Sequence, residues 1–381
     1  MAVTADSLDN LRARTSMKWR AHGEDVLPLW VAESDFPLAE PIADALHAAI
    51  SRSDTGYAPP TSDLPEAFAA FAAERWGWEP DPAQVWTTTD VGVAIVETLR
   101  RVTKPGEGVI ITPPVYFPFF DLVEEAGAEL VEVPLTGGLT EGWSLDLDGI
   151  ERAFQGGAKA FLLSNPHNPV GRQHSADELR AVAELAARYG ATVVSDEIHA
   201  PLSFAEAPFT PFLAVSDAAR EVGVCVTAAS KAFNLAGLKC ALLVTAKEPY
   251  SRIIGSMPME VYWRTGILGL HATIAAYRNG GPWLDGVIRT LDANRRLLAE
   301  LLTEKLPEVG YRMPEATYLA WLDFRELDWG ADPAAHALEH AKVALSSGPP
   351  FGALGTGFAR LNLATSPEVL MDAVSRLAAA R

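Results

Sequence analysis

A chain of 381 residues, 49% hydrophobic and 21% charged, is long enough for two domains of ordinary globular composition. Its formal net charge of −18 excludes nucleic acid or an anionic membrane as the main partner, and any site for an anionic ligand must gather its own positive groups. Two cysteines, Cys225 and Cys240, cannot make a disulfide framework and read as core-filling thiols.

In chain order, residues 1–18 are polar and lack the apolar run of a signal peptide. No window reaches the ~18 apolar residues of a membrane span, so a cytoplasmic protein is expected. The first 45 residues read as an arm, with the apolar stretch Leu27-Pro28-Leu29-Trp30-Val31-Ala32 and then a helix, Glu40–Ser51. Residues 54–62, rich in Gly, Pro, Ser and Thr, read as a loop. Residues 63–76 carry Leu64, Ala67, Phe68 and Phe71 at helical spacing, with Asp63 as the N-cap. From residue 85 onward, short apolar runs at 108–112, 160–164, 192–195, 222–228 and 240–244 predict buried strands, with helices at 91–102 and 176–189. Strands without polar alternation, separated by helices, predict an α/β fold with a mostly parallel sheet covered on both faces. Residues 283–306 read as a long helix, and the remainder as a smaller α+β part. The expected division is a large domain, 46–282, and a second body made of 1–45 with 283–381.

Ligands of such sheets bind beyond the carboxyl ends of the strands. Tyr116, Asn168, Asp196 and Lys231 each follow a predicted strand. Lys231 is one of only 8 lysines against 23 arginines. At the end of an apolar strand its amine can be desolvated and made nucleophilic, although a surface lysine has the same signature. Asp196 ends the run Val193-Val194-Ser195-Asp196-Glu197, where a carboxylate can hold a pyridine nitrogen protonated. An N-cap or Mg²⁺ role also suits it, but no second carboxylate cluster accompanies it. Ser164-Asn165-Pro166-His167-Asn168-Pro169-Val170-Gly171 is a tight turn able to aim an Asn side chain at a ring hydroxyl. No metal site is expected from the scattered histidines.

Asn168-Pro169-Val170-Gly171, Asp196-Glu197-Ile198-His199 and Ser230-Lys231-Ala232-Phe233-Asn234-Leu235-Ala236-Gly237-Leu238-Lys239 follow one another in order. Together they resemble the fold-type I enzymes of the aspartate aminotransferase superfamily, which use pyridoxal 5′-phosphate. Lys18-Trp19, Leu27 to Phe36, Pro114-Val115-Tyr116-Phe117-Pro118-Phe119, Thr317 to Asp323 and Gly357-Phe358-Ala359-Arg360-Leu361-Asn362 are similar to the MalY/PatB-type carbon–sulfur β-lyases. The resemblance runs from residue 17 to the C-terminus, and it is the ordered set that is specific.

The resemblance implies a PLP-dependent transferase-like fold with a seven-stranded sheet and a homodimer with shared active sites. It implies that Lys231 binds the cofactor as a Schiff base and moves the substrate Cα proton. Asp196 would pair with the ring nitrogen, Asn168 would bond the ring 3′-oxygen and the substrate, and Tyr116 would stack on the ring. His199 would complete the cofactor contacts. Ser230, Lys239 and the helix start at Val91 and Gly92 would hold the phosphate, with Tyr57 reaching the phosphate of the neighbouring subunit. Arg360 would clamp the substrate α-carboxylate, with Ala32 beside it. Tyr57 or Tyr116 would assist the departing sulfur.

Three departures stand out. His199 replaces the Tyr usual in aminotransferases, which favours a lyase. Asp90-Val91-Gly92 replaces Gly-Val before the phosphate helix, placing a carboxylate near a phosphate unless it points away or caps the helix. Glu33-Ser34 replaces Asp-Met in the arm, a change expected to alter the substrate pocket. The expected reaction is β-elimination from L-cystathionine or a related L-cysteine S-conjugate, giving thiol, pyruvate and ammonia. The alternatives are an aminotransferase, or a regulatory protein that kept the fold.

Overall fold

The computed structural model describes residues 2–59 and 62–381, so part of the expected 54–62 loop lies outside the described residues. The apolar runs form a seven-stranded sheet whose spatial order is Val85–Thr88, Ala241–Val244, Gly223–Thr227, Thr192–Asp196, Ala160–Ser164, Gly108–Ile111, Glu129–Glu132. Only Ala241–Val244 runs against its neighbours. Side chains alternate between the two faces. Val109, Ile111, Leu162, Val194, Val224 and Leu243 join the core under helix Val91–Val102. Ile110, Phe161, Leu163, Val193, Cys225 and Leu242 join the core on the other side. Both faces are therefore apolar, which is why these strands show no polar alternation.

The sequence reading missed Val85–Thr88 and Glu129–Glu132, which are the two edges. Glu129–Glu132 is partly solvated and carries charge at both ends, as an exposed edge does. The Asp196 strand is one residue longer than expected and includes the carboxylate itself.

Helix boundaries follow local chemistry. Ser175 and Glu178 make a capping box at the start of Ala176–Tyr189, and Gly190 ends it at φ 62°. Asp63 does stand at the cap position of Leu64–Trp76, but it does not cap. Its backbone, at φ −76° and ψ 5°, is not extended, and its carboxylate accepts from Arg278 Nη2 at 2.9 Å instead.

A four-stranded antiparallel sheet, ordered Gly310–Tyr311, Leu319–Asp323, Phe358–Asn362, Ser346–Ser347, follows the long helix Gly281–Lys305. The arm joins this part of the chain through Leu27–Pro28, which pairs in parallel with Val343–Ala344. Among the described residues no helix is long and apolar enough to cross a membrane. Both cysteines are buried and free.

Candidate active site

A cavity of about 430 Å³ opens at the carboxyl ends of the central strands, closed on one side by the arm and on another by the smaller sheet. The strand Ala160–Ser164 delivers Asn168. Ser164 Oγ accepts from the Asn168 N–H at 3.2 Å and donates to the Pro166 carbonyl at 3.2 Å, which fixes the turn. Asn168 Oδ1 accepts from Arg360 Nη1 at 2.9 Å, so its NH₂ remains the end that can donate to a ligand. Asp196 is buried, and its Oδ1 accepts from the Ile198 N–H at 3.1 Å. The next carboxylate, Glu197, is outside the cavity. It is held by Ser195 Oγ at 3.0 Å, the Phe212 N–H at 2.8 Å and Cys225 Sγ at 3.3 Å.

Arg360 lies on the central strand Phe358–Asn362, opposite Trp321 on one side and Ser346 on the other. Strand period two puts Asn362 on the same face, and both side chains reach the arm. Every carbonyl from Trp30 to Ser34 accepts from a side chain. Arg360 takes Trp30 at 3.3 Å, and Asn362 takes Val31 and Glu33, each at 2.7 Å. Lys231 and Tyr318 take Ala32 at 3.1 and 3.0 Å, and Asn234 takes Ser34 at 3.0 Å while accepting its N–H at 3.0 Å. Asn234 manages this at φ 58°, a conformation Asn tolerates. On the far side of the arm Lys18 and Asp35 form a fully buried ion pair at 2.8 Å, with Trp19 Nε1 donating to Asp35 at 3.1 Å.

The charged residues lining the cavity are Lys231, Lys239 and Arg360 against Asp90 and Asp196. A chain of charge −18 has thus gathered a local positive excess. Surrounding protein desolvates Lys231 and, with the Arg360 charge, lowers its pKa to about 8, so a neutral amine is accessible near neutral pH. Burial raises the Asp196 carboxyl to about 7, against the pull of the Ile198 N–H and Lys231. Burial lowers Arg360 to about 10. His199 is driven well below its ordinary value by burial and by the charges of Lys231 and Arg360, so its imidazole is neutral. Among the described residues Arg360, Asp196 and Lys231 have no ion-pair partner within 4.0 Å, and Arg360 Nε makes no hydrogen bond.

At the other end of the cavity helix Val91–Val102 begins. Asp90 caps it, Oδ1 accepting from the Val93 N–H at 2.9 Å, which is the capping arrangement the sequence allowed. The N–H groups of Val91 and Gly92, at the first two helical positions, have no partner within the helix. Ser230 and Lys239 line the same end, and Lys239 Nζ meets Asp90 Oδ2 at 3.3 Å.

The cavity brings together Ala32, Val91, Gly92, Tyr116, Asn168, Asp196, His199, Ser230, Lys231, Lys239 and Arg360. Tyr57 is not among them. It is 80% exposed and packs edge-on against Trp263 at 5.4 Å. Neither residue of the Glu33-Ser34 change lines the cavity, although the Glu33 charge acts on Lys231 within it. The supports Asn234, Tyr318 and Asn362 had no role in the sequence reading, although each lies in a recognised segment. The alternation of Arg360 and Asn362 along one strand was the available signal for Asn362. His336 and His340 have a four-residue spacing, but they lie outside the cavity lining with their rings tilted at 52° and centroids 4.4 Å apart, and His336 Nε2 meets the Ala380 carbonyl at 3.2 Å.

A strand-end amine and carboxyl on this doubly covered sheet, facing a guanidinium from the smaller sheet, define the class. The chain belongs to the aminotransferase class I and II family, which it matches over residues 24–377. It is 37% identical to the cystathionine beta-lyase of Corynebacterium glutamicum over 97% of this chain and 98% of that protein. It is 34% identical to the cystathionine beta-lyase PatB of Bacillus subtilis, over 96% of each. Among solved structures it resembles cystalysin from Treponema denticola, which contains pyridoxal 5′-phosphate, with a TM-score of 0.92, 30% identity and 100% and 98% coverage. The expected α/β fold and family are those found.

Proposed function

We propose that this chain is a pyridoxal 5′-phosphate-dependent carbon–sulfur β-lyase that splits L-cystathionine or a related L-cysteine S-conjugate, with the uptake of one water, into thiol, pyruvate and ammonia. The observation that carries this reading is the convergence of Lys231, Asp196 and Arg360, none ion-paired, in one cavity with Asn168 and Tyr116. Relatives at 34–37% identity are named cystathionine beta-lyases, whereas an Aquifex aeolicus relative named as a probable aspartate/prephenate aminotransferase is 25% identical, which supports lyase over transferase.

The residues fit the cofactor. Lys231 would be its amine anchor, Asp196 its ring-nitrogen partner and Asn168 its hydroxyl donor, with Val91, Gly92, Ser230 and Lys239 at the phosphate end, all lining one cavity. When bound, the cofactor supplies an aldehyde that condenses with amines and a cationic ring that accepts electrons from Cα.

The chain's own residues do the rest. Arg360 pairs with the substrate α-carboxylate, a charge its buried guanidinium lacks. Asn168 bridges Arg360 and the ligand and so fixes their relative orientation. Asp196, kept from water, holds a proton on the ring nitrogen. Lys231, its pKa lowered to about 8, would take the substrate Cα proton with its neutral amine. The arm, pinned at five successive carbonyls, forms one fixed wall of the site. The thiolate then leaves Cβ, with Tyr116 or a partner's tyrosine within the proposed machinery to protonate it.

A homodimer belongs to the same proposal. Tyr57, Met259 and Trp263 are at least half exposed, and Met259 and Trp263 border a second cavity of about 520 Å³. A second copy covering this patch would carry Tyr57 to the neighbouring site. The 46–282 domain, with all seven strands of the larger sheet, and a cytoplasmic location are part of this reading.

The test is incubation with L-cystathionine without any keto acid. Pyruvate and free thiol in equal amounts are expected. Amino transfer to an added keto acid, with no pyruvate formed from cystathionine, would replace lyase by aminotransferase.

A further inference from the structure

Resting on that reading, we propose that Asp90 competes with the cofactor phosphate for Lys239 and so loosens cofactor retention in this chain. One carboxylate spans two groups at the phosphate end. Its Oδ1 takes the Val93 N–H at 2.9 Å, and its Oδ2 takes Lys239 Nζ at 3.3 Å. Among the described residues lining the cavity, Lys239 is the cation that meets Asp90, while Lys231 and Arg360 donate to the arm carbonyls of Ala32 and Trp30. A phosphate seated on the free Val91 and Gly92 N–H groups would lie beside a carboxylate of the same sign.

The capping bond fixes where Asp90 points, so the carboxylate cannot swing away without uncapping the helix. Lys239 is a compact ammonium on a flexible stem and can turn from one anion to the other, whereas a guanidinium fork could hold both. The cofactor therefore binds by taking Lys239 from Asp90, and it keeps a negative neighbour. Asp90 and Lys239 side chains are 40% and 55% exposed, so the effect is moderate and sensitive to salt.

The experiment compares full-length wild type, Asp90→Asn and Asp90→Ser after removal of cofactor. Each is titrated with pyridoxal 5′-phosphate and followed by visible absorbance and tryptophan fluorescence. Asn and Ser both cap helices well, so the fold is kept, and either variant can stand in if the other fails to fold. Both should bind about fivefold more tightly at low salt, the upper range for one exposed charge pair, and the gain should shrink in 1 M KCl. With Lys239→Met also present, the gain should fall below about twofold. Unchanged or weaker binding in both Asp90 variants overturns the proposal, as does an undiminished gain without Lys239. Failure of the wild type to bind the cofactor at all would sink the functional reading itself.

Discussion

The arm at residues 30–35 has buried charge on both of its sides, and the two sides are built differently. Behind it, Lys18 and Asp35 are 0% and 1% exposed and paired at 2.8 Å. In front of it, Arg360 and Asp196 are 3% and 6% exposed and have no ion-pair partner, and Lys231 donates only to a carbonyl. A buried charge without its counter-ion costs several kcal/mol, whereas pairing offsets much of that cost. The chain bears that cost only on the side facing the cavity, where a ligand supplies the missing opposite charges. Paired burial holds the arm, and unpaired burial waits for chemistry.

The contrast breaks most visibly at Lys231. Lys231→Ala is expected to abolish the visible absorbance of the bound cofactor and to lower elimination by at least about 10³-fold, the upper range for losing a positioned base. A covalent pyridoxyl adduct on this variant after borohydride reduction would mean that another lysine anchors the cofactor. Arg360→Met should lower kcat/KM by about 100-fold or more, because the substrate carboxylate then enters a buried site without its partner. Arg360→Lys should recover only part, since an ammonium cannot bond Asn168 and a carboxylate as a fork does. Neither Arg360 change should lower the melting temperature of the cofactor-free protein.

The opposite outcome is expected behind the arm. Lys18→Met leaves Asp35 buried with no counter-ion and should destabilise the fold by about 3–5 kcal/mol. Denaturant unfolding checks it. A loss below about 1 kcal/mol would mean that water reaches Asp35 and that the pair is no anchor.

Legibility in the sequence followed the same division. Lys231, Asp196 and Asn168 could be named because strand ends on an α/β sheet are where ligands sit and because ordered motifs carry them, whereas Arg360 was named by the resemblance of its motif alone. The central strands were legible because burial on both faces leaves uninterrupted apolar runs. The edge strands were not, since Glu129–Glu132 mixes charge with apolar residues. The arm's supports were hidden for another reason. Asn234 and Asn362 act through side-chain bonds to carbonyls that are 200 and 331 residues away, and the local sequence does not name those partners. Asp63 illustrates the limit of capping rules, because residue type suited the position while the backbone turned its carboxylate to Arg278.

The finest test of the contrast uses pH and stability without substrate. Lys231 has its pKa lowered to about 8 in the fold against 10.5 for an ordinary lysine, first by desolvation and then by the charge of Arg360. The groups opposing this are Glu33 and Asp196, and Lys239 adds to it. Below pH 8 both folded and unfolded chains hold the proton, so the folded chain carries the full penalty. Between pH 8 and 10.5 the unfolded chain holds more protons, and stability rises with pH as the penalty fades. Cofactor-free Lys231→Met should therefore melt a few degrees above wild type at pH 7, corresponding to about 3 kcal/mol at most. The gap should close as pH is raised through 8 towards 10. Asp196 cannot mimic this, because its raised pKa of about 7 places its own stability loss at lower pH, as the carboxyl is forced to ionise between 3.8 and 7. A gap that stays constant from pH 7 to 10 would show that the methionine stabilises by packing, and that Lys231 is not held against its charge.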